Sequence, residues 1–172
     1  DSMATDGDVT ITLSADATKL SRSIDYGVTW DEIPSGLAAD DVPQLIGYNG
    51  TLWMLVYRLG AAGNHYTKIS TDLITWTTAT GFITSLMDNL YGISAIGSKW
   101  VIVGGRGSAW TSNIYYSADD GVAWAQKTSP STEFLQDITN DGTTWCAVGR
   151  ADGVDGLIVT STDATTWTER AN

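Results

Sequence analysis

Residues 23–30 read Ser-Ile-Asp-Tyr-Gly-Val-Thr-Trp, and this phrase recurs in three further, variant copies along the chain. Each copy has a serine, an aspartate two residues later and a closing tryptophan, and we call these phrases boxes. The four boxes are Ser23–Trp30, Ser70–Trp76, Ser117–Trp124 and Ser161–Trp167. Their serines are 47, 47 and 44 residues apart. A repeat period of about 40–50 residues, filled with short strands, is typical of propellers and other repeat arrays.

A second tryptophan series supports the same period. Trp53, Trp100 and Trp145 are 47 and 45 residues apart. Each follows a turn dipeptide, and a fourth such dipeptide lies near the start of the chain: Asn49-Gly50, Gly97-Ser98, Asp141-Gly142 and Asp6-Gly7. Dipeptides of this kind between apolar runs favour β-hairpins, because glycine adopts the positive φ that a tight turn needs.

The spacing predicts an all-β fold, a small β-propeller of about four blades in one domain spanning residues 1–172. The repeats are predicted at approximately 1–35, 43–80, 89–129 and 134–170, each with four short antiparallel strands. Strand-forming residues such as Thr, Val, Ile and Trp are abundant, and helical periodicity is absent. The fourth strands are predicted at Thr29–Glu32, Thr75–Thr78, Ala123–Lys127 and Thr166–Glu169.

The first repeat is the least complete. Only Asp1–Thr5 precede its Asp6-Gly7 turn, which leaves little chain for an inner strand. Either these five residues form a short strand, or a neighbouring chain or a further N-terminal segment supplies the pairing. Because an unpaired strand edge promotes association, we expect a homo-oligomer or docking to a partner chain.

The boxes resemble the Asp-box, or BNR repeat, of β-propeller proteins. The first copy matches the full Ser-x-Asp-x-Gly-x-Thr-Trp pattern, and the third has Ala123 in place of the threonine. The second and fourth are one residue shorter and have no glycine, so the Asp-to-Trp distances run 5, 4, 5, 4 and suggest duplication of a two-blade unit. The resemblance implies that each box joins the third and fourth strands of a blade, away from the usual ligand face. It thus implies a structural role for Ser23, Asp25, Trp30, Ser70, Asp72, Trp76, Ser117, Asp119, Trp124, Ser161, Asp163 and Trp167.

The residue types of the box also fit a structural role. An aspartate side chain accepts backbone N–H bonds from residues just ahead of it and so stabilises a tight turn. The tryptophan is expected to bury its ring while its indole N–H stays near a partner.

Composition excludes several functions. The 172 residues contain 20 acidic and 9 basic side chains, for a net charge of −11, which disfavours nucleic acids and anionic membrane surfaces. Cys146 is the only cysteine and His65 the only histidine, so an intramolecular disulfide, a cysteine zinc site and a multi-histidine metal centre are excluded. No apolar run approaches the roughly 18 residues of a membrane span. We therefore predict no metal, no cofactor and no membrane insertion.

The candidate ligand-binding residues lie in the predicted loops between the second and third strands. Arg58, Arg106 and Arg150 are 48 and 44 residues apart there, and three guanidinium groups on one face suit a carboxylate or sulfate. His65 and Trp110, with Tyr66, form a candidate aromatic platform for a sugar ring. Alternatively, each arginine ends its strand and offsets the acidic surface.

Sialidases share the Asp-box and use an arginine triad, so the resemblance raises a sialidase-like function. That family also needs a tyrosine nucleophile paired with glutamate in a six-bladed frame. This chain has only Glu32, Glu133 and Glu169, and Tyr57 beside Arg58 has no evident glutamate partner in the sequence. We therefore predict no catalytic residues and no enzymatic activity.

The sequence favours a non-enzymatic structural or adhesive propeller. Its repeats are similar in style to those of bacteriophage virion and bacterial surface propellers, which implies a virion appendage, decoration or fibre component, located extracellularly or in the virion. Expected partners are other protein chains and a cell-surface glycan. The alternatives are a glycan-binding, lectin-like or sialidase-like propeller that uses the arginine-bearing face. A third is an assembly factor whose acidic surface seeks a basic partner.

Overall fold

The computed structural model describes residues 2–60, 64–84, 88–106, 111–150 and 156–171. Sixteen strands in this part of the chain form four antiparallel sheets, each of four strands consecutive in sequence. Each sheet is a meander of the type that forms a propeller blade, and we number the blades in chain order. The predicted all-β class is confirmed.

The strand bounds follow the repeats. Blade 1 comprises β1 Met3–Thr5, β2 Thr10–Leu13, β3 Lys19–Ser23 and β4 Asp31–Pro34. Blade 2 comprises β5 Val42–Tyr48, β6 Trp53–Arg58, β7 His65–Ser70 and β8 Thr77–Thr84. Blade 3 comprises β9 Asp88–Ile96, β10 Lys99–Arg106, β11 Thr111–Ser117 and β12 Ala125–Lys127. Blade 4 comprises β13 Leu135–Asn140, β14 Trp145–Arg150, β15 Gly156–Ser161 and β16 Thr168–Glu169.

The first blade is completed by the start of this chain. β1 pairs with β2 over Met3–Thr5, so the short-strand alternative is the correct one. Ser2, just before β1, fixes this strand to the next blade, because its Oγ accepts a hydrogen bond from the backbone N–H of Ile46 at 3.0 Å. The same hydroxyl lies 3.3 Å from the Ile46 carbonyl, to which it donates.

The chain divides into two compact units, Asp1–Leu86 and Met87–Asn172, with two blades in each. In the first unit a continuous core includes Ile11 and Leu20 of blade 1 with Ile46 and Leu55 of blade 2. In the second unit the core joins blades 3 and 4 and includes the fully buried Val101, Val103, Ile114, Leu135, Ala147 and Val159. Each unit therefore buries apolar surface between its own pair of blades.

The second tryptophan series occupies one place in three blades. Trp53, Trp100 and Trp145 are buried and lie at or next to the start of the second strand. Their Cα partners on the third strand are the box serines Ser70, Ser117 and Ser161. In blade 1 the partner of Ser23 is Thr10 instead. The two sequence signals are therefore cross-strand neighbours.

A β-bulge recurs in the inner strands of blades 2, 3 and 4. The unpaired residues are Gln44, Tyr91 and Gln136, one in each of these inner strands. Opposite the bulge, blades 3 and 4 have Gly104 and Gly149, where a Cβ would overlap a carbonyl oxygen of the inner strand. These glycines therefore allow two backbones to approach closely.

The predicted fourth strands began too early. They start after the box tryptophan in every blade, at Asp31, Thr77, Ala125 and Thr168. The residue before the tryptophan belongs to the turn, because its N–H is hydrogen-bonded to the box aspartate. In blade 2 the strand also runs further than expected, to Thr84.

Within the described part of the chain, no helix has the length and hydrophobicity needed to cross a bilayer.

Replacing Gly149 by alanine should destabilise the protein. The new Cβ would overlap the Phe134 carbonyl oxygen, and such overpacking costs about 1–3 kcal/mol. Gly156→Ala is the matched control, because its Cβ would have only one neighbour within 4 Å, at 3.9 Å. Urea unfolding checks this: Gly149→Ala should lower the midpoint clearly and Gly156→Ala should not, and equal midpoints would contradict the close approach.

Candidate functional site

Each blade has two chemically different ends. At one end lie the turns between first and second strands and those between third and fourth strands. The latter turns contain the boxes, so we call this the box end. The loops between second and third strands, and the connections to the next blade, lie at the other, which we call the loop end. The loop end contains the residues predicted to bind ligand.

In the first and third boxes the serine and aspartate bind a longer turn. The Ser23 hydroxyl accepts the N–H of Gly27 at 2.8 Å and donates to the Asp25 carboxylate at 2.8 Å. The same carboxylate accepts the N–H of Thr29 at 2.8 Å and the Thr29 hydroxyl at 2.5 Å. The third box repeats the backbone bonds through Ser117 and Asp119.

In the second and fourth boxes the turn is one residue shorter. The Ser70 hydroxyl accepts the N–H of Leu73 at 2.9 Å. The Asp72 carboxylate accepts the N–H groups of Ile74 and Thr75, both at 2.8 Å. Ser161 and Asp163 make the same bonds in the fourth box.

One backbone conformation unites the two kinds of box. The residue three positions after the serine has a positive φ in all four, at Tyr26, Leu73, Asp120 and Ala164. The longer boxes add a second such residue, Gly27 or Gly121. A second left-handed residue therefore accommodates the extra position, which explains why only the longer boxes contain glycine.

The box tryptophans differ in their hydrogen bonds. The indole N–H of Trp30 donates to the Gly27 carbonyl at 3.1 Å, and that of Trp167 donates to Ala164 at 3.2 Å. The indole N–H groups of Trp76 and Trp124 are buried without a hydrogen bond. The expectation of a nearby partner is therefore correct for two boxes and wrong for the other two.

Hydrogen bonding lowers the pKa of all four box aspartates. The Thr29 hydroxyl is the main cause for Asp25, and a backbone N–H is the main cause for the other three. For Asp72 the N–H of Thr75 contributes most, and the pKa is about 2. These carboxylates remain charged in mildly acidic solution, and the Oδ1 of each is hydrogen-bonded within its turn.

The box aspartates should make stability depend on pH at the acid end. The pKa of Asp72 is about 2 in the folded chain and close to 4 when unfolded, so its contribution is complete above about pH 4 and is lost as the pH falls toward 2. We expect the melting temperature to fall over this interval, and Asp72→Asn to remove part of the fall. Calorimetry from pH 7 to pH 2 measures it.

Asp40→Asn serves as the control for that titration, because Asp40 is exposed and no box contains it. Its profile should follow that of the unmodified protein. If Asp72→Asn does so as well, the turn does not depend on the charged carboxylate.

The loop end of blade 2 contains a buried carboxylate that the sequence analysis missed. Asp41 is 8% exposed and precedes β5. Its Oδ2 accepts the N–H of Ala38 at 3.0 Å, whereas its Oδ1 is buried without a hydrogen bond. The repeat contains a signal for it, because blades 2, 3 and 4 each have an acidic residue three positions before the bulged residue. These are Asp41, Asp88 and Glu133, which are 47 and 45 residues apart.

Tyr57 and Arg58 are the last two residues of β6, and this end of β6 pairs with the start of β5, which directly follows Asp41. Arg58 is the Cα partner of Val42, the neighbour of Asp41, and its Nε is buried without a hydrogen bond. Tyr57 is buried, and its ring centroid lies 6.0 Å from that of Tyr66. Burial, together with the negative charge of Asp41, raises the pKa of the Tyr57 phenol, so this group stays protonated at neutral pH.

One member of the predicted aromatic platform, His65, is buried in a strand. His65 is 2% exposed and is the first residue of β7, so its assignment to an exposed loop is wrong. The strand extends to this residue because Arg58 and His65 continue the pairing of β6 with β7. Tyr66 is half-buried beside Tyr57, and Trp110 lies outside the described residues.

The three arginines do not occupy three equivalent positions. Arg58 and Arg150 each lie five residues after the strand tryptophan and pair with the residue five positions before the box serine. The corresponding residue of blade 3 is Gly105, and Arg106 is one position further along β10. Arg58 belongs to the first unit and the other two to the second. Arg150 is exposed, and its backbone N–H donates to the Phe134 carbonyl at 3.0 Å.

The one glutamate of the first unit is engaged in an ion pair. Glu32 lies on β4 and forms an ion pair with Lys19 at 2.6 Å. Glu169 is exposed on β16, and Glu133 precedes β13 in the second unit. Among the residues described, no group of three or more His, Cys, Asp or Glu side chains is placed to hold a metal ion.

Solved structures similar to this chain are propellers or contain them. A Hadza microbial sialidase, Hz136, superposes with a TM-score of 0.67 at 13% identity, over 96% of this chain and 43% of the other. YCF48 bound to D1 peptide gives 0.57 at 14% identity, over 98% and 51%. The nidogen/laminin complex gives 0.61 at 12% identity, over 96% and 60%. Together with the four sheets, these similarities establish a β-propeller fold, of which this chain forms four blades.

The chain spans 43% to 60% of the length of these structures. No protein-family model matches the chain. No curated protein matches it by sequence either.

Proposed function

We propose that the chain is a non-enzymatic adhesive β-propeller that binds a glycan at the loop end of blade 2. The observation that carries this proposal is a pair of buried, unpaired polar atoms, Asp41 Oδ1 and Arg58 Nε. A buried polar group without a hydrogen bond costs about 1–3 kcal/mol. A ligand that pairs with these two atoms removes part of that cost once it has displaced the side chains that cover them. In this proposal the boxes are of the Asp-box type, and their serine and aspartate side chains act in folding rather than in glycan binding.

A sugar suits this pair of atoms. The carboxylate oxygen of Asp41 only accepts and the Nε–H of Arg58 only donates, while a sugar hydroxyl does both. Tyr57 lies near Asp41, whose charge raises the pKa of its phenol, and the half-buried Tyr66 ring lies beside Tyr57. Aromatic rings next to a polar group are typical of small-molecule sites.

The protonated state of the Tyr57 phenol favours binding over catalysis. A tyrosine nucleophile needs its phenol activated, and here burial and the charge of Asp41 both raise its pKa. Similar structures do not decide between the two roles, since they include a sialidase, a peptide-bound YCF48 and a nidogen/laminin complex. A virion appendage, decoration or fibre protein, or an extracellular surface protein, is the setting that we propose for such a module.

Arg58→Ala and Asp41→Ala should each weaken glycan binding by about tenfold or more, the equivalent of about 1.4 kcal/mol. The binding partner is first sought on an array of neutral and acidic oligosaccharides, and the affinity of the best one is then measured by titration calorimetry. Arg150→Ala is the matched control, because Arg150 has the same register in blade 4 and is exposed.

Two results would contradict the site. Unmodified protein that binds no glycan on the array would remove the proposed ligand class. An equal loss in Arg150→Ala would mean that binding depends on the arginine-bearing loops generally rather than on Asp41 and Arg58.

A fluorogenic sialoside should not be hydrolysed by the protein, because the Tyr57 phenol is held protonated. Continuous fluorescence over pH 4–8 measures this, with a sialidase of known activity as the positive control. Hydrolysis that disappears in Tyr57→Phe would show instead that the site is catalytic.

A further inference from the structure

The box end of blade 1 exposes a cluster of large apolar side chains. Ile24 is 67% exposed, Tyr26 85%, Val28 79% and Trp30 45%. All four belong to the first box or its turn, within seven residues. A contiguous exposed apolar group of this kind is typical of an interaction surface. We call these four residues the blade 1 patch.

In the other three boxes the residue with the corresponding positive φ makes contacts within its own blade. Leu73 is 6% exposed and Ala164 is fully buried. Asp120 accepts a hydrogen bond from the indole N–H of Trp100 at 3.2 Å. Blade 1 has Thr10 where blade 3 has Trp100, so Tyr26 has no such indole to bind.

Tyr26 is therefore an unusual residue for its backbone. Its φ is 59°, a region that bulky side chains rarely adopt and in which glycine or asparagine is favoured. The hydrogen bonds of Ser23 and Asp25 hold this backbone, but the ring is in solvent and gains nothing from burial. An exposed aromatic side chain on such a backbone points to a role in binding another molecule.

Acidic side chains lie in the turn that contains the patch and in the neighbouring turn. Asp6 and Asp8 lie in the turn before β2. This turn is at the same end of the sheet as the first box, because Thr10 of β2 and Ser23 of β3 are Cα partners. Asp25 is in the box itself. None of these three carboxylates is in an ion pair within the described part of the chain, where the recorded pairs involve Lys19 and Arg22.

We propose that the blade 1 patch binds a protein partner whose contact surface combines basic and apolar side chains. Apolar contact would come from Tyr26 and its neighbours, and the carboxylates would select lysine or arginine at the rim. A second copy of this chain is the less suitable occupant, because symmetric pairing would bring Asp6, Asp8 and Asp25 of both copies together. The patch is at the box end, whereas the proposed glycan site is at the loop end, so one module would join two partners.

The third box supplies a control sequence for this surface. It has the same length and backbone as the first, with φ of 54° at Asp120, and has Ala118 and Asp120 where the first has Ile24 and Tyr26. The double variant Ile24→Ala/Tyr26→Asp therefore gives blade 1 residues that this turn already accommodates. Its added negative charge favours a basic partner, so any loss of binding reports on the apolar side chains.

Two pools of synthetic 12-residue peptides test the proposal, one mixing Lys and Arg with Leu, Phe and Trp, the other replacing the basic residues by Glu. Fluorescence polarisation should detect binding of the basic pool alone, weakened by added salt. The double variant should lose at least tenfold in affinity. Val122→Ala, at the position of Val28 in the third box, should bind as the unmodified protein does.

Three results would overturn the proposal. The basic pool fails to bind, or the double variant binds it equally well. Alternatively, light scattering finds a dimer that the double variant abolishes, which would make a second copy the occupant. Circular dichroism verifies that both variants are folded, and a glycan titration distinguishes failure here from failure of the loop-end site.

Discussion

The hydrogen bonds of one serine hydroxyl and one aspartate carboxylate hold the outer turn of every blade. Together they bind the N–H groups of a turn whose backbone enters the left-handed region, which would otherwise be unfavourable for Tyr26, Leu73, Asp120 and Ala164. The serine also sits opposite the first tryptophan of the second strand in three blades. The turn thereby connects the edge of the sheet to its buried centre, and the pairing of the outer strand depends on it.

The two ends of the blades use their polar groups differently. At the box end the aspartate carboxylates accept hydrogen bonds from their turns, chiefly from the Thr29 hydroxyl at Asp25 and from backbone N–H groups at the other three, which is why their pKa values lie below the ordinary range. At the loop end of blade 2, Asp41 and Arg58 each retain a buried atom without a hydrogen bond. The position equivalent to Tyr57 is glycine in blades 3 and 4, where it allows close backbone approach. Only blade 2 therefore combines a tyrosine at this position with a buried carboxylate and arginine among the residues described.

Periodicity was sufficient to predict the blades, because each repeat is one complete meander with its own turn signals. The box spacing located four sheets, and the short strand at Met3–Thr5 was among the alternatives. Local propensity did not predict the starts of the fourth strands, since threonine favours a strand but here its N–H binds the aspartate. The loop-end site was harder to predict. Arg58 was found from its spacing, but the burial of Asp41 and His65 depends on packing between neighbouring segments, which a linear pattern does not contain.

The difference in box length has a consequence for how such a chain can change. In all four blades the residue before the serine pairs with the residue after the tryptophan: Arg22 with Asp31, Ile69 with Thr77, Tyr116 with Ala125, and Thr160 with Thr168. The additional residue is thus absorbed within the turn, and the outer strand keeps its register. A one-residue slip elsewhere in a strand would reverse its inward and outward faces. Single-residue insertions and deletions during evolution should therefore accumulate at this turn, because they leave the strand pairing unchanged.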